Sequence, residues 1–184
     1  VGFRAPTQKE MLMSYAQFLS QSDEKEIFYA DPNLVLRKEQ GEILPAERED
    51  LRRLMLEAIT TGPSFDRWIG GFLTEPRSYH EPAAENLDEG NLLSQLPETL
   101  VRVEGGRFAY SLDKGKVYFA VEGESLVLSP KLEGLAVLLC RQNSIARHEL
   151  LAYQRVEGFS DLLLHLWNQG HIRNAEDDEE GDDA

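Results

Sequence analysis

Apolar residues recur with a helical period in the first third of the chain and with a strand period beyond residue 99. After Thr7, Met11, Leu12, Tyr15, Phe18 and Leu19 stand at offsets 0, 1, 4, 7 and 8, which is one stripe of an α-helix. Thr7-Gln8-Lys9-Glu10 ahead of it is a capping box, the threonine accepting from a first-turn amide and the glutamate reaching back. A second helix follows Pro45, with Leu51, Leu54, Met55, Ala58 and Ile59 on its inner face, and Thr61-Gly62-Pro63 ends it. Ser64 starts a short third helix whose inner face carries Phe65, Trp68, Ile69 and Phe72. Gly70 and Gly71 weaken its end, and Pro76 closes it.

Residues 77–90 carry no periodicity and read as linker. Leu100–Glu104 and Arg107–Ser111 then flank Gly105-Gly106, a two-residue hairpin signal. Asp113-Lys114-Gly115 turns the chain into Lys116–Val121, and Glu122-Gly123-Glu124 leads to Ser125–Leu128. A meander of four short strands is the expectation. Helical spacing returns after Ser129-Pro130 with Leu132, Leu135, Ala136, Leu138 and Leu139. A brief helix is expected through His148–Tyr153, and a last one from Ser160 to Gly170 with Leu162, Leu163, Leu164, Leu166 and Trp167.

The expected architecture is α+β and mainly helical. A three-helix segment over 7–76 precedes a linker at 77–95 and a winged-helix-like domain with a small antiparallel sheet over 96–174. An acidic tail, 175–184, ends the chain. The three-helix segment is too small for a core of its own. Its stripes read as ordinary core or as an inter-domain or dimer seam, the seam candidates being Met11, Leu12, Tyr15, Phe18, Leu19, Leu51, Leu54, Met55, Phe65, Trp68 and Phe72.

Charge narrows the partners. Formal net charge is −14, from 33 acids and 19 bases over 184 residues. Seven of those acids lie in the last ten residues, with no base among them, and the body is mildly acidic without the tail. Binding a polyphosphate needs clustered Lys and Arg, so direct nucleic-acid binding is not expected. A basic protein partner suits the charge. No apolar run approaches the roughly 20 residues that span a bilayer, and no leader pattern is present, so a cytoplasmic protein is expected. The single cysteine, Cys140, leaves no internal disulfide and suits a reducing compartment.

Candidate chemistry is sparse. The four histidines, His80, His148, His165 and His171, form neither an i, i+4 pair on one helix nor a His-x-Asp. Cys140 ends a leucine-rich helix and reads as a small hydrophobe. The tail acids lack the Asp-x-Asp-x-Asp-Gly order of a calcium loop. No catalytic, metal or cofactor-binding residue is nominated.

The opening Val1-Gly2-Phe3-Arg4-Ala5-Pro6, the capped helix after it and Phe28-Tyr29-Ala30-Asp31-Pro32 resemble bacterial JmjC-type ribosomal oxygenases. That resemblance implies that residues 1–6 are the exit of the last strand of a cupin-like catalytic barrel absent from this sequence. A helical dimerisation region and a winged-helix domain would follow. It implies a parent enzyme, an iron(II)- and 2-oxoglutarate-dependent arginine hydroxylase of a ribosomal protein, acting as a homodimer on a basic substrate. The family's His-x-Asp…His metal triad and its 2-oxoglutarate site lie upstream of that strand, so iron and 2-oxoglutarate are expected in the missing domain only. The alternative class is a free-standing winged-helix regulator or interaction adaptor. Its candidate recognition helices, Leu132–Arg141 and Ser160–Gln169, offer Arg141 and no base respectively.

Overall fold

The computed structural model describes residues 5–22, 27–30, 39, 41–60, 64–76 and 86–176. Residues 1–4, the Asp31-Pro32 pair, residues 77–85 of the expected linker and tail residues 177–184 lie outside this set. Two compact units are present, and they divide inside the third helix, between Phe65 and Asp66.

In the first unit, α1 (Gln8–Ser20) begins as its sequence dictates. The Thr7 hydroxyl accepts from the Glu10 amide at 3.2 Å, and Glu10 accepts from the Thr7 amide at 2.7 Å. Two first-turn donors are thereby satisfied. The second helix, α2, spans Pro45–Thr60, with proline at a terminus where no intrahelical amide is lost. Tyr15 ties α1 to α2 by donating its hydroxyl to the Ala58 carbonyl at 2.6 Å. Its ring meets Phe65 edge-on, with centroids 5.6 Å apart.

The second unit is α+β. Helix α3 (Ser64–Thr74) enters it from Asp66 onward. A one-turn helix, α4 (Leu92–Gln95), follows, and then strands β1 (Thr99–Arg102), β2 (Phe108–Asp113), β3 (Lys116–Val121) and β4 (Glu124–Leu128). A 3-10 turn at Pro130–Leu132 opens α5 (Glu133–Arg141). Then come β5 (Ser144–Ala146), α6 (Arg147–Leu151), α7 (Phe159–Asn168) and β6 (Ile172–Asn174).

The strands form two three-stranded antiparallel sheets rather than one meander. One has the order β2-β3-β4 and the other β5-β1-β6. The hairpin expected at Gly105-Gly106 is therefore absent. The Gly106 amide bonds to the Val103 carbonyl at 3.0 Å, and Gly105 sits at φ +77°. Positive φ at the third position of that turn alone is type II geometry, which does not follow strand twist and sends β1 and β2 into different sheets. The real hairpins have positive φ at both central residues: Lys114 and Gly115 join β2 to β3, Glu122 and Gly123 join β3 to β4.

The core lies between the two sheets' inner residues and the helices. Phe119, Val121 and Val117 of β3 meet Leu135 and Leu139 of α5, Leu163 and Leu166 of α7, and Leu100 of β1. Leu87 and Leu92, expected in linker, are buried in the same core. Helix α7 stops as glycine at its C-terminal flank requires. Gly170 takes φ +74°, and the His171 amide caps the Leu166 carbonyl at 2.8 Å.

Gly70 and Gly71 do not weaken the end of α3; they let it approach the second sheet. A Cβ on Gly70 would lie 2.9 Å from the Ala120 Cβ, and one on Gly71 would lie 2.6 Å from the Gly123 carbonyl oxygen. Thr74, 1% exposed, completes the contact by accepting from the Gly123 amide at 3.1 Å and donating to the Gly70 carbonyl at 3.0 Å.

Candidate interaction surfaces

The stripe residues nominated from sequence divide by environment. Tyr15 is buried, while Met11, Phe18 and Leu19 are half-buried beside it. Leu12 is 50% exposed. On α2, Leu54 is half-buried, but Leu51 and Met55 stand open, Met55 at 71%. Met13, Leu56 and Ile43 are also large, apolar and exposed, and none was singled out in the sequence, because Met13 and Leu56 fall off the helical stripes and Ile43 precedes α2. Local folding thus leaves much of the first unit's apolar surface in water. Exposed apolar surface marks an interaction site in soluble proteins where it forms a patch.

In the second unit Trp68 is buried and stacks on half-buried Phe72, centroids 5.0 Å apart. Phe65, assigned to the first unit, is half-buried against Tyr15. The eleven nominated residues are thus distributed over both units, nine in the first and two in the second.

His165 on α7 places Nε2 3.1 Å from Glu124 Oε2 on β4, and its ring lies 5.9 Å from that of His171. Among the described residues, no group of three His, Cys, Asp or Glu side chains is placed to hold a metal ion. Burial pushes the Cys140 thiol up to about 11 from an ordinary 9.0, with the Arg102 charge opposing the rise. A thiol held protonated is a poor nucleophile. Helix α7 carries no Lys or Arg. Among the described residues no helix is long and apolar enough to cross a membrane.

One groove escaped the sequence reading. It measures about 670 Å³ and lies where β1, β5 and the 103–106 turn meet, with Arg102 and Arg173 in its wall. These arginines are 71 positions apart in a chain read as acidic, and only the strand order brings them together.

This combination of a helical pair and a two-sheet α+β unit is the fold of part of the ribosomal oxygenases. The chain matches a solved structure of YcfD, a ribosomal oxygenase from Escherichia coli, with TM-score 0.81 and 26% identity over 94% of this chain and 48% of that one. A second structure of the same protein, in complex with cobalt and 2-oxoglutarate, matches with TM-score 0.76 and 26% identity over 94% of this chain and 47% of that one.

In sequence, the chain is 35% identical over 77 residues to the ribosomal protein uL16 3-hydroxylase of Escherichia coli (strain K12), covering 42% of this chain and 21% of the relative. No family model matches. The resemblance read from the opening hexapeptide, the capped helix and the Phe28–Pro32 segment is thus supported in both sequence and fold. The chain spans about half the length of the solved relatives it matches.

Proposed function

We propose that this chain is the non-catalytic part of a ribosomal oxygenase, in which the helical unit pairs two protomers and the α+β unit positions a basic ribosomal protein. The likeness to ribosomal oxygenases over part of their length supports this reading. The observation that carries the pairing role is the open apolar surface of α1 and α2, led by Leu12, Met13, Met55 and Leu56. Burying such surface contributes about 25 cal/mol per Å², and a second copy supplies a complementary apolar face by symmetry.

In the second unit, α5, β5, α6, α7 and β6 follow one another as helix, strand, helix, helix and strand, and β1 closes their sheet. This is a winged-helix-like succession whose central strand comes from ahead of the first helix. With an acidic body and no base on α7, it is suited to protein rather than DNA. Iron and 2-oxoglutarate would act in the catalytic domain of the parent enzyme, a hydroxylase of a ribosomal protein, in the cytoplasm.

Light scattering over 1–100 μM tests the pairing role. The chain is expected at twice its 20.9 kDa mass. Leu12→Asp with Met55→Asp is expected to give a monomer of unchanged helical content. A wild-type chain that stays monomeric throughout that range refutes the pairing role.

A further inference from the structure

The chain's sulfur atoms divide by environment. All three methionines, Met11, Met13 and Met55, lie on α1 and α2, so the core of the second unit contains none. Met13 is 65% exposed and Met55 71%, whereas Met11 is half-buried. The remaining sulfur belongs to Cys140, half-buried on α5. Burial keeps that thiol protonated, and peroxide reacts with the thiolate. An oxidant in solution therefore meets two open thioethers before any other sulfur. Both stand on apolar ground. On α2, exposed Leu51 lies one turn before Met55, and exposed Leu56 follows it. On α1, Leu12 adjoins Met13 and is also exposed.

We infer that Met13 and Met55 form a sulfoxidation site through which peroxide dissolves the pairing of two protomers; the inference rests on the pairing role proposed above. The thioether sulfur attacks one peroxide oxygen, the O–O bond breaks, an S–O bond forms, and water leaves. Sulfur gives up two electrons and the peroxide takes them. The product sets a polar hydrogen-bond acceptor where an apolar atom stood. On a single chain water solvates that oxygen. A dry apolar interface strips its hydration and returns no donor. Both copies of each residue enter a symmetric interface, so the penalty is doubled. The second unit's core holds no methionine, so its packing is untouched by the reaction. The change is also reversible, because dedicated reductases return the sulfoxide to the thioether.

The test treats the full-length chain with hydrogen peroxide at neutral pH. Peptide mass spectrometry locates the added oxygen, and light scattering follows the mass. Met13 and Met55 are expected to oxidise severalfold faster than Met11, with Cys140 unmodified at the same dose. The dimer dissociation constant is expected to rise at least about tenfold, with helical content by circular dichroism unchanged. Met13→Leu with Met55→Leu conserves volume and apolarity, so that chain should pair like wild type and ignore peroxide. Methionine sulfoxide reductases acting on both epimers should restore pairing to the oxidised wild type. The inference is overturned if Met11 oxidises first, or if the doubly substituted chain loses pairing to peroxide as wild type does. An untreated chain that is monomeric removes the pairing role and this inference together. An untreated dimer that pairs as tightly after oxidation of Met13 and Met55 removes this inference alone.

Discussion

Replacing Gly71 by alanine sets two effects of opposite sign against each other. In an exposed helix interior the change stabilises by about 1 kcal/mol, because glycine loses more backbone entropy. Here the new methyl would stand 2.6 Å from the Gly123 carbonyl oxygen, a backbone atom. Ordinary contact needs more than about half an ångström of additional separation. The Gly123 loop resists that movement, because φ is +91° at the glycine and its amide is bound to Thr74 Oγ1 at 3.1 Å. Overpacking of this kind costs about 1–3 kcal/mol, and stretching the half-buried hydrogen bond forfeits about 1 kcal/mol more. The net expectation is a destabilisation of about 1–3 kcal/mol. Urea unfolding followed by tryptophan emission reads it, since Trp68 lies on α3 and Trp167 on α7. Thr74→Val should be non-additive with Gly71→Ala in a double-mutant cycle, because both act on one contact. A Gly71→Ala chain as stable as wild type, or more so, refutes the packing argument.

Phe119→Ala empties a site with no solvent exposure and should cost about 3–5 kcal/mol in the same urea experiment; a loss under about 1 kcal/mol would contradict the core assignment. Thr7→Ala removes the hydroxyl cap of α1 at a cost of about 1 kcal/mol, so exchange of the Met11 and Leu12 amides should quicken about fivefold. Cys140, with its thiol near 11, should be alkylated at pH 8 about a hundredfold more slowly in the folded chain than a thiol of ordinary 9.0, with equal rates after denaturation. The linked effect on stability has a definite sign. The folded chain keeps its proton where the unfolded chain releases it, so this contribution is intact below pH 9 and lost as pH rises towards 11.

Elements whose cause is local were readable in advance. Thr7 and Glu10 fix the start of α1, Pro45 that of α2, and the Lys114-Gly115 and Glu122-Gly123 pairs make the two hairpins. What the sequence concealed depends on distant partners. Strands β5 and β6 are three residues each, too short to display a period, and exist because β1 offers both of them an edge. Gly105-Gly106 has hairpin composition, but turn geometry and the pull of β1 towards β5 and β6 send it elsewhere. Gly70 and Gly71 read as helix breakers in isolation; their purpose is visible only against Ala120 and Gly123. Helical spacing shows which of the seam residues share a face and not what covers that face. The arginine groove carried no sequence signal, since its charges come from strands at opposite ends of the unit.

The place of β1 has a temporal consequence. This strand emerges from the ribosome ahead of every other strand of the second unit, yet neither of its flanks is filled until the segments at 144–146 and 172–174 have been made. At ordinary elongation rates that interval lasts on the order of several seconds. Throughout it, Leu100 and Val101 present a bare double edge to any other nascent chain. Premature termination after Arg141 would make that state permanent, and such a product is expected to precipitate rather than accumulate as a smaller folded domain.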